Sequence, residues 1–407
     1  MPTPMTLPFF EHPDAAVVKS IYHSLGREGH QLLIVGGAVR DWIRGEPPKD
    51  LDLVTTATPD ELERIFPKTV PVGKVFGVMI VVEGEKSFEV ATLRTEGRYL
   101  DGRHPEKVVW GTIDQDVHRR DFTINSIYYD PFKGVVYDLV GGLADLKDGI
   151  LRTVGEPRRR FDEDHLRVLR AYRFRAQTGF TFDHQLKGAL KESLPLLADV
   201  TGERKREELS RLFAAPHRGQ VIEEMVNEGV FKILLPQVDL DFKAYREWQS
   251  EQTVRMIGLF RWLPVLYRET GKSAVQTFGE LLKLSRDEKK ALDEALIFWQ
   301  QPGILEQLSL AELTLKLWSP HFRTGLEQYL HEFAPTPEIQ TKVDEARRLK
   351  NRWGARTPPP WMSAKDFPEL TGAALGERLK NEYHEQIVSE AANREEFLKW
   401  KTKAPAK

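Results

Sequence analysis

The stretch "VGGAVRDWIRGEPPKDLDLVT", Val35 to Thr55, decides the fold, because a glycine corner in it separates two strand signals. "QLLIVGG" reads as a buried strand ending in glycines, "AVRDWIRG" as a short helix closed by Gly45, and "DLDLVTT" as a second strand. Side chains alternate along a strand, so Asp50 and Asp52 project to one side while Leu51 and Leu53 point into the core. Two carboxylates then share one small volume, and a hard divalent cation such as Mg²⁺ relieves their repulsion by taking oxygens from both. Such a spacing suits metal ions that clamp phosphate and activate an attacking hydroxyl. Gly36 and Gly37 let backbone N–H groups approach an anion with no Cβ in the way, and Arg40 adds a fork of donors for phosphate oxygens. A D-x-D alone is commonly a solvated strand edge; the GG-x-x-R just upstream is what makes it a metal–triphosphate site. A dinucleotide-binding reading is weaker, since the G-x-G-x-x-G spacing is absent.

Outward from this stretch, Val17 to Gly29 reads as a helix, "TPDELERIF" opens with a Thr cap, and "VFGVMIVVEGEKSFEVATLRT" reads as a hairpin turning at "EGEK". The first 150 residues are therefore α/β. From Arg160 onward the pattern is helical, with breaks marked at Pro216, Pro236, Pro264, Pro302 and Pro335. The whole is an α+β, multidomain chain, as 407 residues exceed one usual core. "RTPPPW" reads as a rigid linker before a last helical segment, and "KTKAPAK" as a frayed end. Lys plus Arg (59) nearly balances Asp plus Glu (61), so any case for a nucleic-acid partner rests on local clusters. Cysteine is absent, which excludes disulfides, thiolate chemistry and Cys-based zinc sites. No leader and no apolar run long enough to cross a membrane is visible, so the expectation is a cytoplasmic protein with no membrane partner.

Three further places carry chemistry. Glu89, in "SFEVATLRT", is either a third carboxylate beside the pair, binding metal or accepting the attacking hydroxyl's proton, or an exposed strand glutamate. In "HRRDFTINSIYYD", Arg119 or Arg120 could neutralise phosphate while Asp121 and Asn125 hold sugar hydroxyls or orient the arginine; taken singly, the span reads as well as an N-cap beside a solvated basic patch. In "RRRFDEDHLRVLRAYRFRAQTGF", Glu163, Asp164 and Arg167 would share one helix face, with Arg170 and Arg173 extending the row. Ordinary helix-dipole and i,i+4 pairing explains that ladder, yet Asp accepting from an amino group and Arg donating to a ring nitrogen or carbonyl also fit a nucleobase edge. Between Leu151 and Arg218 there are 15 Lys plus Arg against 10 Asp plus Glu, a basic stretch that suits an RNA backbone.

The ordered set "VGGAVRD…DLDLVT", "RRDFTINSIYYD", "RRRFDEDHLRVLRAYRF" and "GERKREELSRLF" resembles the class II tRNA nucleotidyltransferases, the CCA-adding enzymes, together with the bacterial poly(A) polymerases that share their head. The resemblance implies a small α/β nucleotidyltransferase head of the DNA polymerase beta-like kind over residues 1–150. It implies a helical neck over 151–215, a body over 216–350 and a tail over 351–407. It further implies that Asp50 and Asp52 bind Mg²⁺, and that Gly37, Arg40, Arg120, Asp164, Arg167, Arg170 and Arg173 contact incoming CTP or ATP. Glu163, Asp164 and Arg167 would serve as a protein template selecting C or A for the tRNA 3′ end. "VPVGKVFGVMIVV" is nearer the CCA-adding pattern than the poly(A) polymerase one, although "YYDPFKGVVYDLVGGLADLKDG" has some flavour of the latter. "RTEGRYLDGRHPEKVVW", residues 94–110, looks like the loop that members need to switch from C to A addition, which disfavours CC-only addition and leaves A-only addition open. No HD-type phosphohydrolase motif is present.

Overall fold

In the computed structural model the residues described are 2–97, 108–236, 276–277, 279–301, 303–389 and 391–403. The chain divides into two compact units, Met1–Pro236 and Gln237–Lys407.

The first unit is organised by an eight-stranded sheet in the order β1-β10-β9-β2-β3-β6-β5-β4. Its strands are β1 (Thr3–Pro4), β2 (Leu32–Val35), β3 (Asp52–Thr55), β4 (Thr69–Gly73), β5 (Val78–Glu83), β6 (Lys86–Thr92), β9 (Ile127–Asp130) and β10 (Val135–Asp138), while β7 (Arg94–Glu96) and β8 (Val108–Trp110) form a separate ribbon. The four residues of β2 are all buried, as a continuous apolar run in a central strand requires. It lies between β3 and β9, both antiparallel, and the Val35↔Asp52 register sets the glycine corner beside the second aspartate. β6 joins β3 in parallel, and the β5–β6 hairpin turns between Glu83 and Lys86 with Gly84 at φ +62°, as "EGEK" predicts. Leu33, Val35, Val54, Leu93, Val117 and Tyr128 pack as one core cluster, on the same sheet face as Asp52, which pairs with Val35.

Helices α1 (Ala15–Arg27), α2 (Gly37–Ile43) and α3 (Pro59–Ile65) interleave with the strands, followed by α4 (Ile113–Asp116) and α5 (Gly142–Asp148). α3 starts at the expected Thr58, whose side chain and that of Glu61 form a reciprocal capping box. The helical part of this unit comprises α6 (Pro157–Glu163), α7 (Leu166–Thr178), α8 (His184–Ser193), α9 (Gly202–Phe213), α10 (Arg218–Asn227) and α11 (Val230–Leu234). The residues expected to form the head (1–150) and neck (151–215) lie within the one compact unit Met1–Pro236. Within that unit α10 packs back on α7 through Arg175–Glu224 at 2.7 Å, and Tyr172 donates to Glu228 at 2.6 Å.

In the second unit the described elements are helices. α12 (Arg286–Gln300), α13 (Ile304–Gln307), α14 (Leu310–Lys316), α15 (Pro320–Glu332) and α16 (Pro337–Trp353) surround a core that includes Phe298, Phe322, Leu326 and Val343. α17 (Gly372–Val388) and α18 (Arg394–Lys403) follow. The "PPPW" segment is pinned to α17 rather than spanning freely: the Tyr383 hydroxyl donates to the Pro358 carbonyl at 2.7 Å, and Gln386 Nε2 donates to that of Pro359 at 3.0 Å. Pro264, Pro302, residues 98–107 of the 94–110 loop and the end 404–407 lie outside the described residues.

Candidate active site

Asp52 opens β3 directly against the glycine corner. Gly36 has φ +77°, and a Cβ there would sit 3.2 Å from Asp52 Oδ2, so any side chain would both strain the backbone and crowd the carboxylate. Asp50, two residues earlier, lies just before the strand, yet the alternation holds: Asp50 and Asp52 are exposed while Leu51 and Leu53 are buried. Glu89 joins them. Leu53 pairs with Val90, both buried, so Glu89 stands next to Asp52 on the same face, and both are exposed. Although Asp52 is exposed, protein packed around its carboxyl leaves that group poorly solvated. Burial first, and then the neighbouring Glu89 and Asp50 charges, raise its pKa, while Arg120 and Arg40 pull it down. Among the described residues no three acidic or histidine side chains are drawn together as a ready ligand set. The pair fits a divalent cation nonetheless: both ligands are hard oxygens, one is already strained towards keeping a proton, and the missing Cβ at Gly36 leaves Oδ2 accessible.

The cations are braced from behind. Arg40 is 2% exposed and donates from Nε to Asp41 Oδ1 and from Nη1 to Asn125 Oδ1, both at 2.8 Å. Asn125 thus orients Arg40 rather than Arg119 or Arg120, and its own Nδ2 is buried without a partner. Arg119 and Arg120 both pair with Asp116, at 2.8 and 2.9 Å, and Arg120 Nε also reaches the Tyr128 hydroxyl at 2.8 Å. Asp121 accepts from Arg170 Nε at 2.8 Å rather than from a head arginine. Burial alone would raise the Asp121 carboxyl, but the Arg170 guanidinium holds it at about 2.

One helix carrying Glu163, Asp164 and Arg167 is not what forms. α6 ends at Glu163, Asp164 is extended at φ −145° and ψ 104°, and α7 begins at Leu166. An acidic run is unfavourable at a helix C-terminus and favourable at the next N-terminus, and Asp164 Oδ1 accepts from the Leu166 N–H at 3.1 Å. The three side chains still belong to one cluster. Arg167 Nη1 donates to Glu163 at 2.8 Å, and its Nη2 donates to the Arg119 carbonyl at 2.6 Å, which fastens the neck to the head segment. Asp164 pairs with Arg204 of α9 at 2.9 Å. Arg167, Arg170 and Arg173 do share the α7 row, and Glu208 of α9 accepts from Arg173 at 2.7 Å. Phe174 joins the two halves, with the guanidiniums of Arg173, Arg170 and Arg40 at 3.5, 5.2 and 5.6 Å from its ring centre. Burial first, and then Arg170, lower Arg173 to about 10.

Asp116, Tyr128, Arg204 and Glu208 were not singled out in the sequence. A signal existed for the first: in "DVHRR" Asp116 stands three and four residues before the two arginines. Tyr128, Arg204 and Glu208 meet their partners only through tertiary packing.

Residues 32–152 match the family model "Poly A polymerase head domain", and residues 179–241 match "Probable RNA and SrmB- binding site of polymerase A". A CCA-adding enzyme of Geobacillus thermodenitrificans (strain NG80-2) is 41% identical over 388 residues, 89% of this chain and 93% of that one. By fold, the chain is similar to the Bacillus stearothermophilus CCA-adding enzyme in complex with CTP (TM-score 0.71, 24% identity, 96% and 98% of the two chains covered). It is similar also to the Thermotoga maritima CCA-adding enzyme complexed with tRNA (TM-score 0.60, 20% identity, 96% and 95% covered). With the four motifs in order and nearly the whole length of a curated relative matched, the chain belongs to the CCA-adding enzyme family of tRNA nucleotidyltransferases.

Proposed function

We propose that the chain adds C, C and A to tRNA 3′ ends from CTP and ATP without a nucleic-acid template, releasing pyrophosphate. The observation that carries this is the charge setting of Asp52, with Glu89 and Asp50 raising its pKa and two braced arginines lowering it, beside a side-chain-free corner. Asp50 and Asp52 would hold Mg²⁺, which when bound neutralises phosphate charge and eases attack on the α-phosphorus. Glu89 would help take the proton of the terminal 3′-hydroxyl. Gly36 and Gly37 leave room for the triphosphate, and Arg40 and Arg120, held by Asn125 and Asp116, give it fixed positive partners. The unpartnered Asn125 Nδ2 is a donor ready for a sugar or phosphate oxygen, and Asp121 acts by fixing Arg170. Glu163, Asp164 and Arg167, with Arg170 and Arg173 behind them, read the base edge; their bonds to Arg204, Arg119 and Glu208 make that edge rigid, as selection by fixed hydrogen bonds requires. The same reading sets the work in the cytoplasm, with tRNA. The test is purified protein given tRNA transcripts ending before CCA or after CC, or a generic oligonucleotide, with labelled CTP or ATP and products sized on a gel. Addition of exactly the missing residues to each tRNA is expected. A-only addition or an open-ended A tract would transfer the chain to the corresponding relatives, and RNA retention without turnover would make it a binding protein with an inherited head.

A further inference from the structure

On the sheet face that carries Asp52, the outward side chains of β5 and β4 are apolar. Glu89 stands opposite Ile80, and Ile80 opposite Val70, so Asp52, Glu89, Ile80 and Val70 run side by side across β3, β6, β5 and β4. Val78 and Val82 flank Ile80 on the same face, while Met79 and Val81 turn to the other and are buried. None of Val70, Val78, Ile80 and Val82 is buried, and Val70 is 44% exposed. An antiparallel strand with one face in water ordinarily alternates apolar inward and polar outward, yet β5 is apolar on both sides. A contiguous, partly exposed apolar strip beside catalytic-type carboxylates marks a surface that a partner covers during the reaction.

We infer that this strip is the track for the 3′-terminal nucleotides of the RNA, an inference that rests on the nucleotidyl transfer proposed above. The carboxylates have two flanks. One holds Gly36, Arg40 and Arg120, whose charge suits the phosphates of the incoming nucleotide. The attacking oxygen must lie in line with the departing pyrophosphate, so it arrives from the other flank, and the chain that ends in it crosses the strip. Ile80 and Val70 lie one and two strand spacings from Glu89, about 5 and 10 Å. Valine and isoleucine cover sugar and base faces whatever the base, which suits a strand whose last residue changes at each addition.

Val70→Asp puts a negative charge where the RNA phosphates pass, on a half-exposed edge-strand position outside the carboxylate cluster. It should raise the tRNA concentration for half-maximal CTP incorporation about tenfold and leave the corresponding CTP concentration unchanged, whereas Val70→Lys should lower the tRNA value. Damage to the edge strand would move both variants the same way. Parallel changes in the two variants, or an unchanged tRNA dependence, overturn the inference while wild-type incorporation stands. Wild-type protein that incorporates neither CTP nor ATP overturns the underlying function instead.

Discussion

Removing the charge of Asp116 should cost the first unit stability in a pH-dependent way. Asp116 has no exposed surface; it pairs with Arg119 and Arg120 and accepts from the Tyr128 hydroxyl at 2.7 Å and the Arg94 N–H at 3.1 Å. Burial alone would raise its carboxyl, but Arg120 and Arg119 reverse this and hold it at about 2, against an ordinary 3.8. At 1.36 kcal/mol per pH unit, that gap corresponds to roughly 2 kcal/mol of folding free energy. The native value is depressed, so this contribution is complete above 3.8 and is lost as pH falls towards 2. Asp116→Asn removes it at every pH. Urea unfolding of both proteins, followed through hydrogen exchange of the β9 amides so that the first unit is read alone, should show a difference of about 2 kcal/mol or more at neutral pH, since two cations lose their partner. The difference should fall to about half by pH 3. A variant as stable as the wild type at neutral pH, or a difference insensitive to pH, would refute the reasoning.

Gly36→Ala forces a Cβ into a positive-φ position 3.2 Å from Asp52 Oδ2; a stability loss of about 1–2 kcal/mol and a lower kcat with little change in tRNA affinity are expected from denaturation and steady-state kinetics. Arg167→Ala should blur the choice between CTP and the other nucleotides, measured by competition on tRNA lacking CCA, while tRNA binding by filter retention changes by less than about threefold. In metal-free protein the Asp52 carboxyl, followed by carbon NMR, should lose its proton at a higher pH than an ordinary aspartate. Glu89→Gln should move that titration to lower pH, since a neighbouring negative charge is removed; an unmoved titration would separate the two groups.

Much of the site was legible because the informative residues are local in sequence. The glycine corner, Arg40 and the Asp50–Asp52 alternation follow from one strand–helix–strand pattern, and the structure sets them together through the Val35↔Asp52 register. The α6–α7 break was hidden, because helical spacing between Glu163 and Arg167 survives it: the pair still meets at 2.8 Å although Asp164 is extended. Glu89 stayed ambiguous in the sequence, since a strand glutamate gains meaning only from which strand lies beside it, and here that neighbour is β3. Asp121 was expected to hold a sugar hydroxyl or orient Arg119 or Arg120, but the arginine it binds is Arg170 of the neck, 49 residues along the chain and invisible to local spacing. The contacts that pack Arg218–Asn227 against the neck helix, Arg175–Glu224 and Tyr172–Glu228, are tertiary and leave no local signal.

The most direct measurement is turnover of labelled CTP on tRNA lacking CCA by Asp52→Asn at saturating Mg²⁺, tRNA and CTP, beside a check that its circular dichroism and tRNA binding match the wild type. The account predicts a fall of roughly a thousandfold, about 4 kcal/mol of barrier. Turnover within a few-fold of wild type in the folded variant would contradict it.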